Sequence, residues 1–344
     1  MGGPERVDAG VTRADLNILD LVQINEGSTP AEAIANTVDL AQHAEGWGYR
    51  RYWMAEHHNM QGVASSSTAV LIGHVADQTS SIRVGAGGIM LPNHAPYVVA
   101  EQFGTLATIH EGRIDLGLGR APGTDPVTSR ALRRDDQAAM NFGGEAQELL
   151  GYLGDPDPAA PVRAVPGEGT HVPIWVLGSS HGGAQVAAAL GLPYSFASHF
   201  APRMLTSALE VYRSRFQPST EPGGLDTPRT MAGANVMVAD TEEEARRLFT
   251  SVLTRFHGIV TGRRGGVQKP AESMESVLAG WSPAEQAAVL DMIRVSFVGT
   301  PAQVRDALQE FTDATGVDEV ILTCGAFDHE ARLRSYELLA DAWS

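Results

Sequence analysis

The sequence predicts an α/β fold: a (β/α)8 TIM barrel forming a single domain over residues 1–344, with a long insertion between its seventh and eighth strands. Three observations lead there. Short apolar runs rich in β-branched residues alternate with longer helix-period segments along the whole chain. No compositional break divides the alternations into two groups. Eight alternations suit a closed ring, because an open sheet would leave edge strands that need separate protection. Hydrophobic residues make up 43% of the chain, aromatics 6%, and glycine occurs 37 times, an ordinary composition for an α/β enzyme.

The elements follow in order along the chain. Residues 16–24 read as the first strand, with Ser28 capping helix 31–47 and Pro30 near its first turn. Residues 49–56 form the second strand and 65–79 a helix, then 82–91 a strand and 94–109 a helix, and 113–118 the fourth strand. A polar stretch rich in Pro and Gly, 151–169, interrupts the pattern as a surface insertion. Strand 173–177 and helix 184–190 resume it, followed by strand 194–198 and helix 202–216. Strand 230–238 and the acidic-started helix 241–256 come next, then strand 321–323 and helix 330–343. Between strands seven and eight, GIVTGRRGGVQKP at 258–270 reads either as a lid over the barrel mouth or as a disordered surface loop.

The formal net charge is −16 and the arginines are scattered, so a phosphate backbone would be repelled and nucleic acid is not an expected partner. No apolar run approaches the roughly 18 residues that span a bilayer. The polar residues 1–15 lack a signal-peptide core, so the expected location is the cytoplasm, with no membrane partner. Cys324, the only cysteine, follows the apolar run 320–323 and reads as a buried structural thiol.

Three motifs carry chemistry. The second strand ends in WMAEHHN, and because strand side chains alternate faces, only one of His57 and His58 can point into the barrel mouth. A histidine at the C-terminal end of a barrel strand is a candidate general acid or base. No metal is expected, since neither an HExxH helix nor a Cys/His cluster accompanies the pair. The glycine-rich VGAGGIMLP (84–92) and LGLGRAPG (116–123) lack dinucleotide-fold spacing, but their glycines would let a flat ring or a phosphate approach the backbone. Arg120 supplies a fixed bidentate cation there. In LGSSHGGA (177–184), Ser179, Ser180 and the following glycines lead into a helix N-terminus, which aims N–H groups at an anion.

The segments RYWMAEHHNM, IRVGAGGIMLPNHAPYVVAEQFGTLATIHEGRIDLGLGRAPGTD and PIWVLGSS resemble the bacterial luciferase-like flavin-dependent monooxygenases. The resemblance covers nearly the whole chain and is densest over residues 49–125. It implies a (β/α)8 barrel that binds reduced FMN, as FMNH2 supplied by a separate flavin reductase, and oxygenates a small-molecule substrate through a C4a-peroxyflavin. A long loop after strand seven would close the site. By position, His57 matches the family's active-site histidine, while Arg120 and Ser180 match the groups that hold the flavin phosphate. Gly182 and Gly183 would add N–H donors. Gly87 and Gly88 fall where the family has a non-proline cis peptide beneath the ring. Gly119 stands where true luciferases have a reactive cysteine, so efficient light emission is not implied.

Two other readings compete: a hydride-transferring oxidoreductase that uses the deazaflavin coenzyme F420 on the same barrel, and a non-catalytic flavin-binding subunit. Family analogy further implies a homodimer packed through helices near strands two and three, and a role in tailoring a secondary metabolite.

Overall fold

Strand side chains alternate between two environments, and the burial pattern follows them. In the first strand Asn17, Leu19 and Leu21 face the barrel axis, while Leu16, Ile18 and Asp20 face the surrounding helices. The computed structural model describes residues 13–133, 140–219, 223–263 and 265–344. The leading polar residues 1–12 and Arg264, inside the glycine-rich segment, lie outside that set.

The first half of the chain runs β1 (Asp15–Asp20), α1 (Pro30–Gly46), β2 (Arg51–Met54), α2 (Thr68–Asp77), β3 (Arg83–Met90), α3 (Pro96–Ile109), β4 (Ile114–Gly119), α4 (Pro126–Ala131) and α5 (Phe142–Leu153). The middle runs β5 (Ile174–Gly178), α6 (His181–Leu190), β6 (Tyr194–Phe196), α7 (Leu205–Arg215), β7 (Thr230–Val238) and α8 (Glu242–Val260). The last part runs α9 (Met274–Ala279), α10 (Pro283–Met292), β8 (Ser296–Gly299), α11 (Pro301–Thr315), β9 (Glu319–Thr323) and α12 (His329–Trp343).

All strand pairings are parallel. Strands β1 to β7 and β9 close a ring of eight, with β6 on β7 and β9 on β1 as the last seams. The sequence reading of a single (β/α)8 barrel is therefore correct.

Several details differ. The region between β7 and β9 is largely built, from α9, α10, β8 and α11, and β8 pairs only with the far end of β7. Its strand signal is short and only half-buried, which is why a period-based reading passes over it. Thr29, not Ser28, caps α1, in a capping box with Glu32, to which Ser28 also donates a hydrogen bond. The interruption at 151–169 begins inside α5, and the loop beyond docks on α3, where a Cβ on Gly104 would lie 2.1 Å from Gly167 Cα.

Around β1 the barrel is fastened to its helices by Asp20. This buried carboxylate accepts hydrogen bonds from Arg332 of α12 at 2.7 Å, Thr37 of α1 at 2.6 Å, and the Tyr52 hydroxyl. Burial alone would raise its pKa, but these partners outweigh burial and hold it below the usual aspartate value. Because the folded pKa is the lower one, the contribution to stability is present above the unfolded value and is lost as pH falls through the folded one.

Substituting Asp20→Asn strands the buried Arg332 guanidinium. The expected loss is about 3–5 kcal/mol in a denaturant titration near neutral pH, shrinking as the pH is lowered below about 4.

Candidate active site

The inside of the barrel is layered. At its N-terminal end, Arg51 donates to Asp115 at 2.6 Å and to Glu319 at 2.9 Å. Arg83 also reaches Asp115, and Arg229 and Asn17 reach Glu319. These charges fill the bottom of the barrel. Above them Leu19, Trp53, Ala55, Trp175, Met231 and Ile321 form an apolar plug, with the two indoles edge-to-face at 5.6 Å. Among the described residues the barrel interior is therefore open toward its C-terminal end, the end at which such barrels carry their chemistry.

There a cavity of about 670 Å3 opens. Of the residues singled out from sequence, His57, Gly87, Arg120, Ser179, Ser180 and Gly183 line it. Gly88 and Gly182 stand just behind the wall. The Gly87–Gly88 peptide is cis, and a Cβ on Gly88 would lie 2.5 Å from the Gly117 carbonyl oxygen. A Cβ on Gly182 would sit 2.8 Å from Arg120 Nη1, so its absence gives the guanidinium its place against the start of α6. Ser180 is the N-cap of α6 without using its side chain as a cap, which leaves the hydroxyl available at a helix N-terminus.

The two adjacent histidines separate as strand alternation requires. His57 faces the cavity, while His58 turns to Glu56 at 2.7 Å. His94 approaches the same carboxylate oxygen at 2.9 Å, and the other oxygen accepts the Met90 amide. Burial pushes the Glu56 pKa up, but His94, His58 and Met90 together bring it below the usual glutamate value. Ligand-type atoms of Glu56, His58 and His94 lie within 4.8 Å of one another. Their mutual hydrogen bonds already account for that closeness, and the trio ties the end of β2 to the end of β3.

The glycine-rich segment after α8 is ordered where it is described. Its first residues belong to α8, and Val267 pairs with the loop after β1, accepting from the Glu26 amide and donating to the Ile24 carbonyl. Gly265 lies so close to Gly62 that a Cβ on Gly62 would meet its carbonyl oxygen at 2.2 Å. Gly258, Ile259, Gly266 and Gln268 also line the cavity, so the described residues of the segment lie over the mouth.

Among the lining residues that escaped the sequence reading, His199, Asn235 and Arg255 bear on the chemistry. His199 follows β6, the same strand-end position that singled out His57, so that signal was present. It sits over Gly233, and Asn235 donates to its carbonyl at 2.7 Å. Burial, with the charges of Arg255 and His57, pushes its pKa down to about 3, so the ring is neutral at ordinary pH. Arg255 lies on α8, which reads from sequence as an outer-ring helix. Instead α8 packs against β7, β8, α9 and α10, and its last turns line the mouth.

Comparison with known proteins now decides the family. Residues 15–319 match the luciferase-like monooxygenases. The chain belongs to that family. A luciferase-like monooxygenase of Escherichia coli K12 is 48% identical over 326 residues, 94% of this chain and 96% of that protein. N-acetyl-S-alkylcysteine monooxygenase of Bacillus subtilis is 32% identical, over 95% of this chain and 97% of its own. The crystal structure of apo-MsnO8 superposes with a TM-score of 0.85 at 33% identity, covering 96% of this chain and 98% of that one. At 19% and 12% identity the fold also matches an oxygenating constituent of 3,6-diketocamphane monooxygenase in complex with FMN and an F420-dependent secondary alcohol dehydrogenase, with TM-scores of 0.72 and 0.68. These last two likenesses show the luciferase-like fold alone.

Two glycines separate the requirements of packing from those of the site. Gly117→Ala drives a Cβ to 2.2 Å from the Ala86 carbonyl oxygen, a backbone atom that cannot yield, and should cost about 1–3 kcal/mol or more in thermal unfolding. Gly182→Ala meets only the movable end of Arg120 and should leave stability within about 1 kcal/mol of the parent.

Proposed function

We propose that this luciferase-like chain is an FMN-dependent monooxygenase that uses reduced FMN and dioxygen to oxygenate a small organic substrate. The observation that carries the reading is the cradle at the start of α6. There the Arg120 guanidinium fills the space a Gly182 side chain would take, beside Ser179, Ser180 and the first amides of the helix. A phosphate monoester has the charge and size for that cradle. The flat surface at Gly87 and the apolar wall of Leu19, Leu21, Met90 and Leu177 suit a planar ring beyond it. The residues fit FMN.

In this reading Arg120, Ser179, Ser180 and the amides of Gly182 and Gly183 hold the phosphate, and Gly87 and Gly88 give the ring its close approach. Bound FMN supplies the oxygen chemistry. The chain excludes water with the cover formed by α8 and the segment beyond it, and His57 takes or gives a proton at its imidazole within the cavity. Neutral His199 can donate or accept a hydrogen bond without adding charge. Reduced flavin is delivered by a separate reductase. The pairing of two copies through the helices after β2 and β3 accords with Val70 on α2 and Val98 and Ile109 on α3, which are exposed apolar side chains.

Anaerobic titration with reduced FMN and, separately, reduced F420 tests the cofactor. Tight binding of reduced FMN, with reoxidation by dioxygen coupled to an oxygenated product, is the expected result. Binding of F420 alone, with no oxygen consumed, would move the protein to hydride transfer. His57→Ala should lower turnover by about 10²–10⁴-fold while reduced FMN still binds. Gly182→Ala should selectively weaken FMN relative to riboflavin, because only the phosphate uses Arg120. A sedimentation experiment showing only monomer would remove the dimer.

A further inference from the structure

Besides Arg120, the mouth cavity is lined by a second cation, Arg255, for which the described residues provide no ion-pair partner. Although the chain carries a formal charge of −16, the described residues lining this cavity include Arg120, Arg255 and Arg263 and neither Asp nor Glu. Arg120 has a role in the flavin reading, and Arg263 stands at the exposed rim. Arg255 is different. It lines the inner cavity from the last turns of α8, and among the described residues it makes neither an ion pair nor a hydrogen bond.

The fixed charges that Arg255 feels oppose each other. Arg332 repels it, and Asp20, which attracts it, is already engaged by Arg332 at 2.7 Å and by Thr37 and Tyr52. Burial pulls its pKa down to about 10, so the group remains a cation at neutral pH. Arg255 is half-buried at the cavity wall, and a cation there without an ion-pair partner among the described residues gains by pairing with an anionic ligand. The surroundings suit an organic anion rather than a bare ion. His199, Asn235, Thr323 and Gln268 offer neutral hydrogen-bonding groups, and Phe256 and Ile259 offer apolar surface.

Position separates this cation from Arg120 and the start of α6. Val252, one turn before Arg255, packs onto Gly325 just beyond β9, and in the ring of eight β9 lies four strands from β4 by either route. Arg120, which follows β4, and Arg255 therefore line the cavity from opposite sides of the ring.

We propose that Arg255 is the substrate-anchoring cation: the organic molecule oxygenated here carries a carboxylate, which pairs with Arg255 while Arg120 holds the flavin phosphate. The planar guanidinium fork matches a carboxylate through two parallel hydrogen bonds. The assignment rests on the flavin reading for what occupies the Arg120 side, and the two can fail separately.

Calorimetric titration with hexanoate and with its neutral analogue hexanamide tests it, in the presence and absence of FMN. The parent protein should bind hexanoate at least tenfold more tightly than hexanamide. Arg255→Met should erase that preference while FMN affinity stays within about twofold, and Arg255→Lys should keep most of it. Thermal melting of Arg255→Met at or above the parent's temperature would show the fold intact. Equal binding of the two probes to the parent, a preference that survives Arg255→Met, or a parallel fall in FMN affinity would overturn the assignment. Failure of the parent to bind reduced FMN under anaerobic conditions, with the hexanoate preference intact, would overturn the flavin reading and support the anion site.

Discussion

The pairing of Arg51 with Asp115 and Glu319 across the bottom of the barrel is the constraint on which the rest of the site depends. One guanidinium joins carboxylates from β4 and β9 to β2, and Arg83 and Arg229 complete the cluster from β3 and from the residue before β7. Burial penalises each of these charges, and they persist because every one is met by several partners. The Glu319 carboxyl, which burial would push up, is held below its usual value by Arg51 and Arg229. With the N-terminal end of the axis filled by charge and the middle by two tryptophans, the interior of the ring opens at the C-terminal mouth.

Along the inner face of β3 and β4, missing side chains let the strands and their neighbours pack closely. Gly85, Gly87, Gly117 and Gly119 all turn toward the axis, where a Cβ would strike Asp115, Leu19, the Ala86 carbonyl or Met90. Strands β3 and β4 can therefore lie close to one another at the same height as the bulky Trp53 and Trp175 on β2 and β5. Outside the ring the same close approach repeats between Gly182 and Arg120.

The distribution of charge separates the outside of the molecule from the cavity. Acidic residues dominate the whole chain, but the cavity wall presents arginines, histidines, hydroxyls and amides. A small anion that reaches the mouth meets a local environment opposite in sign to the surface it has crossed. Low-dielectric walls strengthen each contact it makes inside.

Much of this architecture is legible in the amino-acid sequence alone. Strand and helix periods report which side of each element is buried, so the eight-strand ring, its single domain and Cys324 as a buried thiol can be read directly. Strand-end position marks His57 and Arg120, because a barrel sends the residues after each strand to one shared face. The sequence does not show β8, whose four residues are only half-buried and lack a strand period, or the docking of the glycine-rich segment on Ile24 and Glu26, a contact between residues far apart in the chain. Nor does it show Arg255, since an arginine on an amphipathic helix reads as solvent-facing unless that helix lies over the mouth. The sequence by itself determined the elements, their order and the face that each turns inward, because those depend on local periodicity. Only tertiary structure decided which charges find partners and which do not, because pairing is set by distances between elements that no local pattern encodes.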